Sequence, residues 1–556
     1  MAGDKGRGLF YRPQIKNDSS ITRGTLLLRL KPDIWVPLSS RIASHCYRCL
    51  APANKPAALG DKQGETKRDL FRCKGCRIAR YCGESCQRAD WPSHRSECRA
   101  YKRASSVKGS DVEPGTSVRM LARLAAAKSM DPKLWRRIES LHSYRSEQNK
   151  GGLTSEAEAA FATAAFLCSP PSSAGSTSDE KHQAEVLHEL GFDSSRDLLD
   201  LVCKLNANSI TVTASDLAPV GICLSVTAAM LNHSCHPNAA VVFPDGPSTS
   251  VESMAVVAIR DIAPGEEIVT SYIDVTDGFV ARQAQLQRLY SFQCACKLCR
   301  RVSKASFVDA REARWCQMTK ECTGWYAKAQ RRCTKCQKEH PYDEDEETKL
   351  EKAVREAEEA LQKTNEEDSM TTWQGVRRHV KSLSGSLPPS AYPLLSLLRA
   401  GQTALVTLAS TALDTGMGER ALDLFDEATR FAMLVVAGMN ARGIMVEGHP
   451  ARAIAILTLA KLLLTDVYEA VASAPSSKAP SGHGETSVLD RPPALPPRGL
   501  QRVLTGKQIL EQAIKELTIG FGRQDGGGQL TRLAKEMMRH LDDELKLFSA
   551  GARLQQ

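Results

Sequence analysis

The sequence predicts an α+β protein with a strand-rich amino-terminal half and a helical carboxy-terminal half. Apolar, β-branched runs separated by Pro and Gly turns dominate residues 208–275, as expected of short strands. After the acidic run Asp343–Glu347, apolar residues recur at helical spacing. The 18 cysteines are clustered, and 556 residues with 42% apolar content suffice for several domains with their own cores.

We expect a soluble protein whose location is cytoplasmic and/or nuclear. No apolar run reaches the roughly 18 residues that a membrane-spanning helix requires, and residues 1–16 lack the apolar segment of a secretory signal. Because thiols stay reduced in those compartments, clustered cysteines favour metal ligation over disulfide bonds. The formal charge of +10 leaves nucleic acid among the partners to consider.

The first segment, residues 1–45, has the pattern of short strands, the clearest of which covers residues 25–30. It opens with a Lys-Gly-Arg-Gly motif at residues 5–8. Glycine lets another group approach the backbone closely, although a single Gly-x-Gly is also typical of an ordinary turn.

Eight metal-ligand residues in four close pairs occupy residues 46–98. Gaps of two or three residues allow both side chains of a pair to bind one ion, so eight ligands suffice for two closed tetrahedral zinc sites. Such sites stabilise a fold and leave no open position for catalysis. The ligands are Cys46, Cys49, Cys73, Cys76, Cys82, Cys86, His94 and Cys98.

The same region is basic, with eleven Lys or Arg against four Asp or Glu in residues 67–103. This excess is compatible with nucleic-acid contact. Two zinc ions and seven thiolates would lower the local charge by three, however. The sequence therefore favours a protein-docking or solvated face over nucleic-acid contact.

Helical periodicity covers residues 118–166 and 184–205, with a Pro/Ser/Gly-rich loop at 169–178 between them. Three motif blocks follow: Asn-His-Ser-Cys-His-Pro-Asn at 232–238, Gly-Glu-Glu-Ile-x2-Ser-Tyr-Ile-Asp at 265–274, and a Cys triplet at 294–299. Three cysteines are one ligand short of a closed zinc site.

These motifs resemble those of a known family. Residues 46–98 resemble a MYND finger through Tyr81-Cys82, Cys86 and Trp91-x2-His94-x3-Cys98. The 5–8, 232–238 and 265–274 blocks, in that order, resemble the SET domain of protein-lysine methyltransferases. A MYND finger inserted after the first block is typical of the SMYD family.

The resemblance implies how the ligands group. It pairs Cys46, Cys49, Cys82 and Cys86 on one zinc ion, and Cys73, Cys76, His94 and Cys98 on another. It also implies that Cys235 completes a post-SET zinc site with Cys294, Cys296 and Cys299.

The resemblance also implies S-adenosylmethionine as cofactor. Methyl transfer to a lysine amine needs a neutral amine aligned with the methyl group in a pocket that excludes water. We expect Tyr272 to orient that amine as the catalytic residue, although it could be only a strand aromatic. The expected cofactor-binding residues are Lys5, Gly6, Arg7, His142, Asn208, Asn232, His233, Tyr290 and Phe292. For His142 and Asn208 a purely structural role is the competing interpretation.

The predicted domains follow from these assignments. They are the amino-terminal part of the SET domain (1–45), the MYND finger (46–98), a helical insertion (99–205), the SET core (206–276), the post-SET element (277–300), a possible zinc ribbon (301–340), and a helical, TPR-like domain (341–556). The ribbon would hold a fourth zinc ion on Cys316, Cys322, Cys333 and Cys336, unless these are loose surface thiols. A disordered insertion is expected at 473–499, because the segment from Ser473 to Gly499 contains six prolines.

Two functions are compatible with this sequence. The first is an S-adenosylmethionine-dependent protein-lysine N-methyltransferase that acts, as a monomer, on lysines of histones or other proteins. The second is an adaptor in which the finger binds a partner peptide and the SET fold serves as a scaffold. The motif residues Gly6, Asn232, His233 and Tyr272 favour the enzyme.

Overall fold

The fold was examined in a computed structural model. The residues that it describes are 7–12, 20–53, 69–108, 113–143, 188, 192, 194–246, 254–302, 309–319, 322–328, 330–364, 368–470 and 489–554. Lys5, Gly6 and the predicted loop at 169–178 lie outside them.

The strands are short, as the turn-rich sequence predicts. They are β1 (Leu9–Phe10), β2 (Leu26–Leu30), β3 (Ile34–Pro37), β4 (Phe71–Arg72), β5 (Arg80–Tyr81), β6 (Ser209–Thr213), β7 (Pro219–Leu224), β8 (Asn232–His233), β9 (Ala239–Val242), β10 (Met254–Ala258), β11 (Glu267–Thr270), β12 (Ala313–Trp315) and β13 (Trp325–Ala327).

The helices of the first half are α1 (Glu84–Lys108), α2 (Thr116–Met130), α3 (Pro132–Glu139), α4 (Ser195–Asn208), α5 (Phe279–Tyr290) and α6 (Lys297–Val302). Those of the second half are α7 (Glu344–Lys363), α8 (Ser369–Leu383), α9 (Leu394–Asp414), α10 (Gly418–Asn440), α11 (Pro450–Ala470), α12 (Leu500–Gly520) and α13 (Gly528–Leu554). The α+β prediction is confirmed. No helix among the described residues is both long enough and apolar enough to cross a membrane.

Three small sheets form the centre of the amino-terminal half, in the orders β1-β11-β8, β2-β10-β9 and β3-β7-β6. Strands β11 and β8 run parallel, with Val269 opposite Asn232 and Thr270 opposite His233. This pairing places the 232–238 motif beside the 265–274 motif, although some thirty residues separate them along the chain.

The finger consists of the β4–β5 hairpin and helix α1. The helix continues to Lys108 and so passes the predicted finger boundary at residue 98. It continues because Cys98 and Tyr101, three residues apart on one helical face, are both buried. The Tyr101 hydroxyl lies 3.4 Å from that of Tyr47, inside the same core.

The carboxy-terminal helices pack as hairpins, α9 against α10 and α11 against α12. Their apolar faces form two cores, one of which also takes in Ala255 and Val257 of strand β10. The helical lobe is therefore fused to the central sheet by apolar burial, the main driving force of packing.

The structure describes residues 489–499 of the predicted disordered insertion. Leu489 is buried in the helical core and Arg498 forms an ion pair with Asp426 at 2.9 Å, whereas most residues between them are exposed. The disorder of the insertion stays a prediction. Residues 473–488 lie outside the described part of the chain.

Candidate active site and zinc centres

The structure brings all sixteen predicted zinc ligands into four groups of four, with the ligand atoms of each group within 4.8 Å of one another. The groups are Cys46, Cys49, Cys82 and Cys86; Cys73, Cys76, His94 and Cys98; Cys235, Cys294, Cys296 and Cys299; and Cys316, Cys322, Cys333 and Cys336.

The spacing of the sulfur atoms fits zinc. A tetrahedral ion with Zn–S bonds of about 2.3 Å places its sulfur ligands roughly 3.8 Å apart. The observed Sγ–Sγ distances are 3.8 Å for Cys49–Cys82, 3.8 Å for Cys73–Cys98, 3.6 Å for Cys235–Cys299 and 3.7 Å for Cys316–Cys336. The four groups therefore support several closed zinc sites.

A buried network supports the second finger site. His94 Nδ1 lies 3.0 Å from Glu97 Oε2, and Arg123 Nε donates to Glu97 Oε1 at 2.8 Å. Arg123 also donates to Asp90 at 2.7 Å, which accepts the Tyr81 hydroxyl at 2.9 Å. A carboxylate on the outer nitrogen of a zinc-bound histidine fixes its ring and raises its basicity. Because Arg123 lies on α2, the network also joins the finger to the rest of the protein.

The third group joins the SET core to the post-SET element. His233 Nε2 lies 3.3 Å from Cys235 Sγ, and His233 Nδ1 accepts the Tyr272 backbone N–H at 3.0 Å. The imidazole therefore connects a zinc ligand to the backbone of the predicted catalytic residue. Its side chain faces the metal group, so any contact of His233 with the cofactor would come from its backbone.

Tyr272 lies two residues after the end of β11, in the 265–274 motif, where that motif runs beside the 232–238 motif. Its hydroxyl donates to the Leu231 carbonyl at 2.6 Å. The ring lies 4.9 Å from the Tyr290 ring and 5.3 Å from the His233 ring, between ring centroids. Phe292 is also part of this aromatic group, 5.9 Å from His233.

The predicted cofactor-binding residues near the amino terminus are brought together by hydrogen bonds. The Asn232 amide donates to the Arg7 carbonyl at 3.0 Å and to Glu267 Oε1 at 2.6 Å. A Cβ atom on Gly8 would lie 2.7 Å from that carboxylate and 2.8 Å from the Asn232 amide. Only glycine leaves room for this close approach.

Arg7, His142 and Asn208 are joined through one loop. The Arg7 guanidinium donates to the Ser140 carbonyl, and the Asn208 amide donates to the His142 carbonyl at 2.9 Å. Asn208 also donates to the Lys204 carbonyl at 2.7 Å. These bonds show a structural role for the Asn208 side chain, and its contact with cofactor stays a prediction.

A cavity of about 420 Å³ lies between the SET core and the helical lobe. Tyr272, Tyr290 and Asn208 line it, whereas Arg7, His142, Asn232, His233 and Phe292 do not. Apolar residues of β6 and β9 form one wall, and Met445 and His449 of the helical lobe lie opposite. The apolar part of this lining fits the aliphatic portion of an extended lysine side chain, and Gly8 is not among the residues that line the cavity.

Two neighbouring carboxylates near the cavity, Asp274 and Asp277, have pKa values shifted in opposite directions. Burial would raise the pKa of Asp274, but Arg399, 2.5 Å away, and the Thr276 hydroxyl lower it below its usual value. Burial, with the nearby Asp274 charge, raises the pKa of Asp277 to about 6. Burial lowers the pKa of His449 to about 4, so it is neutral at pH 7; its Nδ1 accepts the Ala451 N–H at the start of α11.

Several residues in these sites escaped sequence reasoning. Glu97 and Arg123 stand in no motif, and Arg399 comes from a helix far along the chain. His340, whose Nε2 lies 3.2 Å from Cys316 Sγ, could have been suspected from its position four residues after Cys336.

Sequence comparisons agree with this geometry. Residues 46–98 match the MYND finger family, and residues 73–273 match the SET domain family. The chain is 31% identical over 294 residues to the mouse histone-lysine N-methyltransferase SMYD3, with 52% of this chain and 60% of that protein covered. It is 27% identical to ASHR1 of Arabidopsis thaliana, a histone-lysine N-methyltransferase, over 55% of each chain. It is 30% identical to the human N-lysine methyltransferase SMYD2, over 50% of this chain and 55% of that protein.

The fold and the site thus define a SET-domain protein with an inserted MYND finger. The chain carries both of these domains and is similar in sequence to SMYD3 and SMYD2. Its matched part spans little more than half the length of these curated relatives.

We predict that Glu97→Gln weakens zinc binding in the finger about 10- to 100-fold, because it removes the charge that supports His94. Chelator titration with thiol alkylation, mapped by mass spectrometry, should show Cys73, Cys76 and Cys98 reacting at lower chelator concentration. Glu84→Gln, on the exposed face of the same helix, is the control. Equal protection of these cysteines in both variants would contradict the proposed support.

We predict that Asp277→Asn becomes more stabilising as pH rises from 4.5 to 7.5. The folded pKa of about 6 exceeds the ordinary aspartate value of 3.8, so the wild type loses stability as pH rises through that window. The expected change in the free energy of unfolding is about 1–3 kcal/mol.

Asp274→Asn is the control of opposite sign for this pH experiment. The lowered pKa of Asp274 contributes stability that is present at neutral pH, so this variant should be destabilised at pH 7.5. Denaturant unfolding at both pH values measures each difference. A pH-independent effect of Asp277→Asn would show that burial does not hold its pKa high.

Proposed function

We propose that this protein is an S-adenosylmethionine-dependent protein-lysine N-methyltransferase. The observation that carries the proposal is the position of Tyr272, at the junction of both motifs and on the wall of the cavity between the two lobes. The names of the curated relatives support the same activity, as do the SET and MYND matches.

When bound, the cofactor supplies a methyl group on a sulfonium sulfur. In the proposed reaction the lysine nitrogen would take this methyl group as its bond to sulfur breaks, and the methylated amine would then lose a proton to water. A lysine amine must be neutral to attack, and its ordinary pKa near 10.4 keeps it protonated. The apolar walls of the cavity disfavour the ammonium form, so no dedicated carboxylate base is needed.

Tyr272 would position the amine. Because its hydroxyl proton is donated to the Leu231 carbonyl, the oxygen can only accept further hydrogen bonds. It can therefore accept an amine N–H and hold the nitrogen in line with the methyl group. The aromatic group of Tyr272, Tyr290 and Phe292 would exclude water around the reacting atoms.

We predict that Tyr272→Phe lowers kcat at least about 100-fold, because a misplaced nucleophile loses alignment with the methyl group. Purified protein would be incubated with labelled cofactor and a histone mixture or a protein lysate. Tyr342→Phe, at an exposed tyrosine just before α7, is the matched control and should label like the wild type.

Two results would distinguish a failure of the proposed enzyme activity from a failure of the proposed role of Tyr272. A wild-type chain that neither binds the cofactor in calorimetry nor labels lysine in any substrate pool would refute the enzyme. If Tyr272→Phe labels as well as the wild type, only the role of that tyrosine is wrong.

A groove on the finger favours the second candidate, a peptide-binding adaptor. It has a volume of about 980 Å³ and is lined by the half-exposed rings of Phe71 and Trp91 together with Arg72, Lys74, Arg95, Arg99 and Lys102. Exposed aromatic rings in a basic surface fit a proline-containing peptide with acidic flanks. Selection from a displayed peptide library, with Trp91→Ala as counter-selection and duplex DNA as competitor, separates peptide binding from nucleic-acid contact.

The proposal includes a cytoplasmic or nuclear location and action as a monomer on protein lysines. Light scattering of the purified chain tests its oligomeric state. Substrate profiling by mass spectrometry would identify the methylated lysines and the number of methyl groups added.

A further inference from the structure

Arg282 of helix α5 is a buried cation beside the post-SET zinc group. Its side chain is fully buried on the face of α5 whose Phe279, Leu286 and Tyr290 pack with the four post-SET cysteines. The guanidinium donates one bond to the Asp277 carbonyl, and its Nε and Nη2 have no hydrogen-bond partner among the described residues. A buried cation with unpaired donors is costly unless an anion faces it.

The zinc group supplies that anion. Four thiolates on one zinc ion carry a net charge of −2, which is itself costly to bury. Arg282 can neutralise half of this charge. The neighbouring Gln283 fixes the same ligands from the backbone side, because its side chain exchanges two hydrogen bonds with the Cys294 peptide at 2.8 and 2.9 Å.

Asp309 continues the series of alternating charges away from the metal. Its Oδ2 lies 3.9 Å from Arg282 Nη2, and its Oδ1 accepts from Arg311 Nη1 at 2.9 Å. Asp309 and Arg311 are both buried, at 5% and 1% exposure. Each charge in this series has an opposite charge as its neighbour, which is the condition for burying charges.

Arg311 is the last residue of this series, and it contacts both walls of the cavity. Its Nε donates to the Val275 carbonyl at 2.6 Å, three residues after Tyr272. Its Nη2 donates to the Gly443 and Ile444 carbonyls at 3.0 and 3.1 Å, just before Met445 of the opposite wall. One guanidinium therefore holds the SET core and the helical lobe at a set separation.

We propose that Arg282, Asp309 and Arg311 form a buried charge chain that couples the post-SET zinc group to the spacing of the two cavity walls. Arg282 stabilises the metal site, and Arg311 is a positioning residue for the protein substrate. The kinetic consequence rests on the proposed methyltransferase activity, whereas the metal and packing consequences do not.

The metal end is tested by chelator titration with alkylation of Cys294, Cys296 and Cys299, read by mass spectrometry. Arg282→Met should expose these thiols at about 10- to 100-fold lower chelator concentration, and Arg282→Lys should lie between it and the wild type. Arg502→Met is the matched control, because Arg502 is equally buried and pairs with an aspartate, Asp426, elsewhere in the helical lobe. Equal protection in the Arg282 variants and the control would overturn the proposal at this end.

The cavity end is tested by hydrogen exchange on the full-length chain. Arg311→Met should speed exchange at least tenfold in both segments 273–277 and 440–449, and it should expose the post-SET thiols at a lower chelator concentration than in the wild type. Kinetically it should raise KM for the protein substrate about fivefold or more, with cofactor affinity within twofold of the wild type. Wild-type exchange in both segments would overturn the proposal at this end.

Further readouts decide the result if a variant does not fold or if the wild type is inactive. If circular dichroism shows that a methionine variant does not fold, the lysine variants, which keep the charge, decide by the same readouts. If the wild type transfers no methyl group, the proposed function fails, but alkylation and hydrogen exchange still decide whether the charge chain exists.

Discussion

The structure depends on the convergence of Cys235 with the three cysteines of the post-SET element. The sulfur atoms of these four cysteines come from two segments that are far apart in the sequence, yet they lie close enough to bind one zinc ion. The predicted catalytic residue, Tyr272, packs against this cluster. His233 transmits the constraint, because one ring nitrogen faces Cys235 and the other accepts the Tyr272 N–H. A metal thus does for this site what a large apolar core does elsewhere, since structural zinc contributes directly to folding.

The finger repeats this principle with a different supporting shell. Its histidine ligand is held by Glu97, which is held in turn by Arg123 of a helix outside the finger. Zinc binding also changes the net charge that the amino-acid composition implies. A formal charge of +10 suggests a basic protein, but zinc-bound thiolates reduce it, because four of them bring more negative charge than one zinc ion balances.

Residues of both the SET core and the helical lobe line the cavity. Apolar contacts between β10 and the helical lobe supply most of the attraction, while the Arg399–Asp274 pair and Arg29, which binds Asp525, fix the orientation. Protein substrates would therefore be selected at a seam whose width depends on buried polar links. If the proposed function is correct, small changes in these links should alter substrate binding more than cofactor binding, because the predicted cofactor-binding motifs lie within the SET domain.

The zinc ligands, the strand and helix content, and the motif order that identifies the SET and MYND domains were all predictable from the sequence. These are short-range properties: ligand spacing, periodicity and turn residues. The roles of Tyr272 and the cofactor residues stay predictions. By contrast, the folded structure alone shows that Arg311 joins residues 275 and 443, that Arg399 pairs with Asp274, and that Leu489 is buried in the helical core. Such contacts join residues far apart in the chain, and no local pattern encodes them because they exist only once the two lobes have docked.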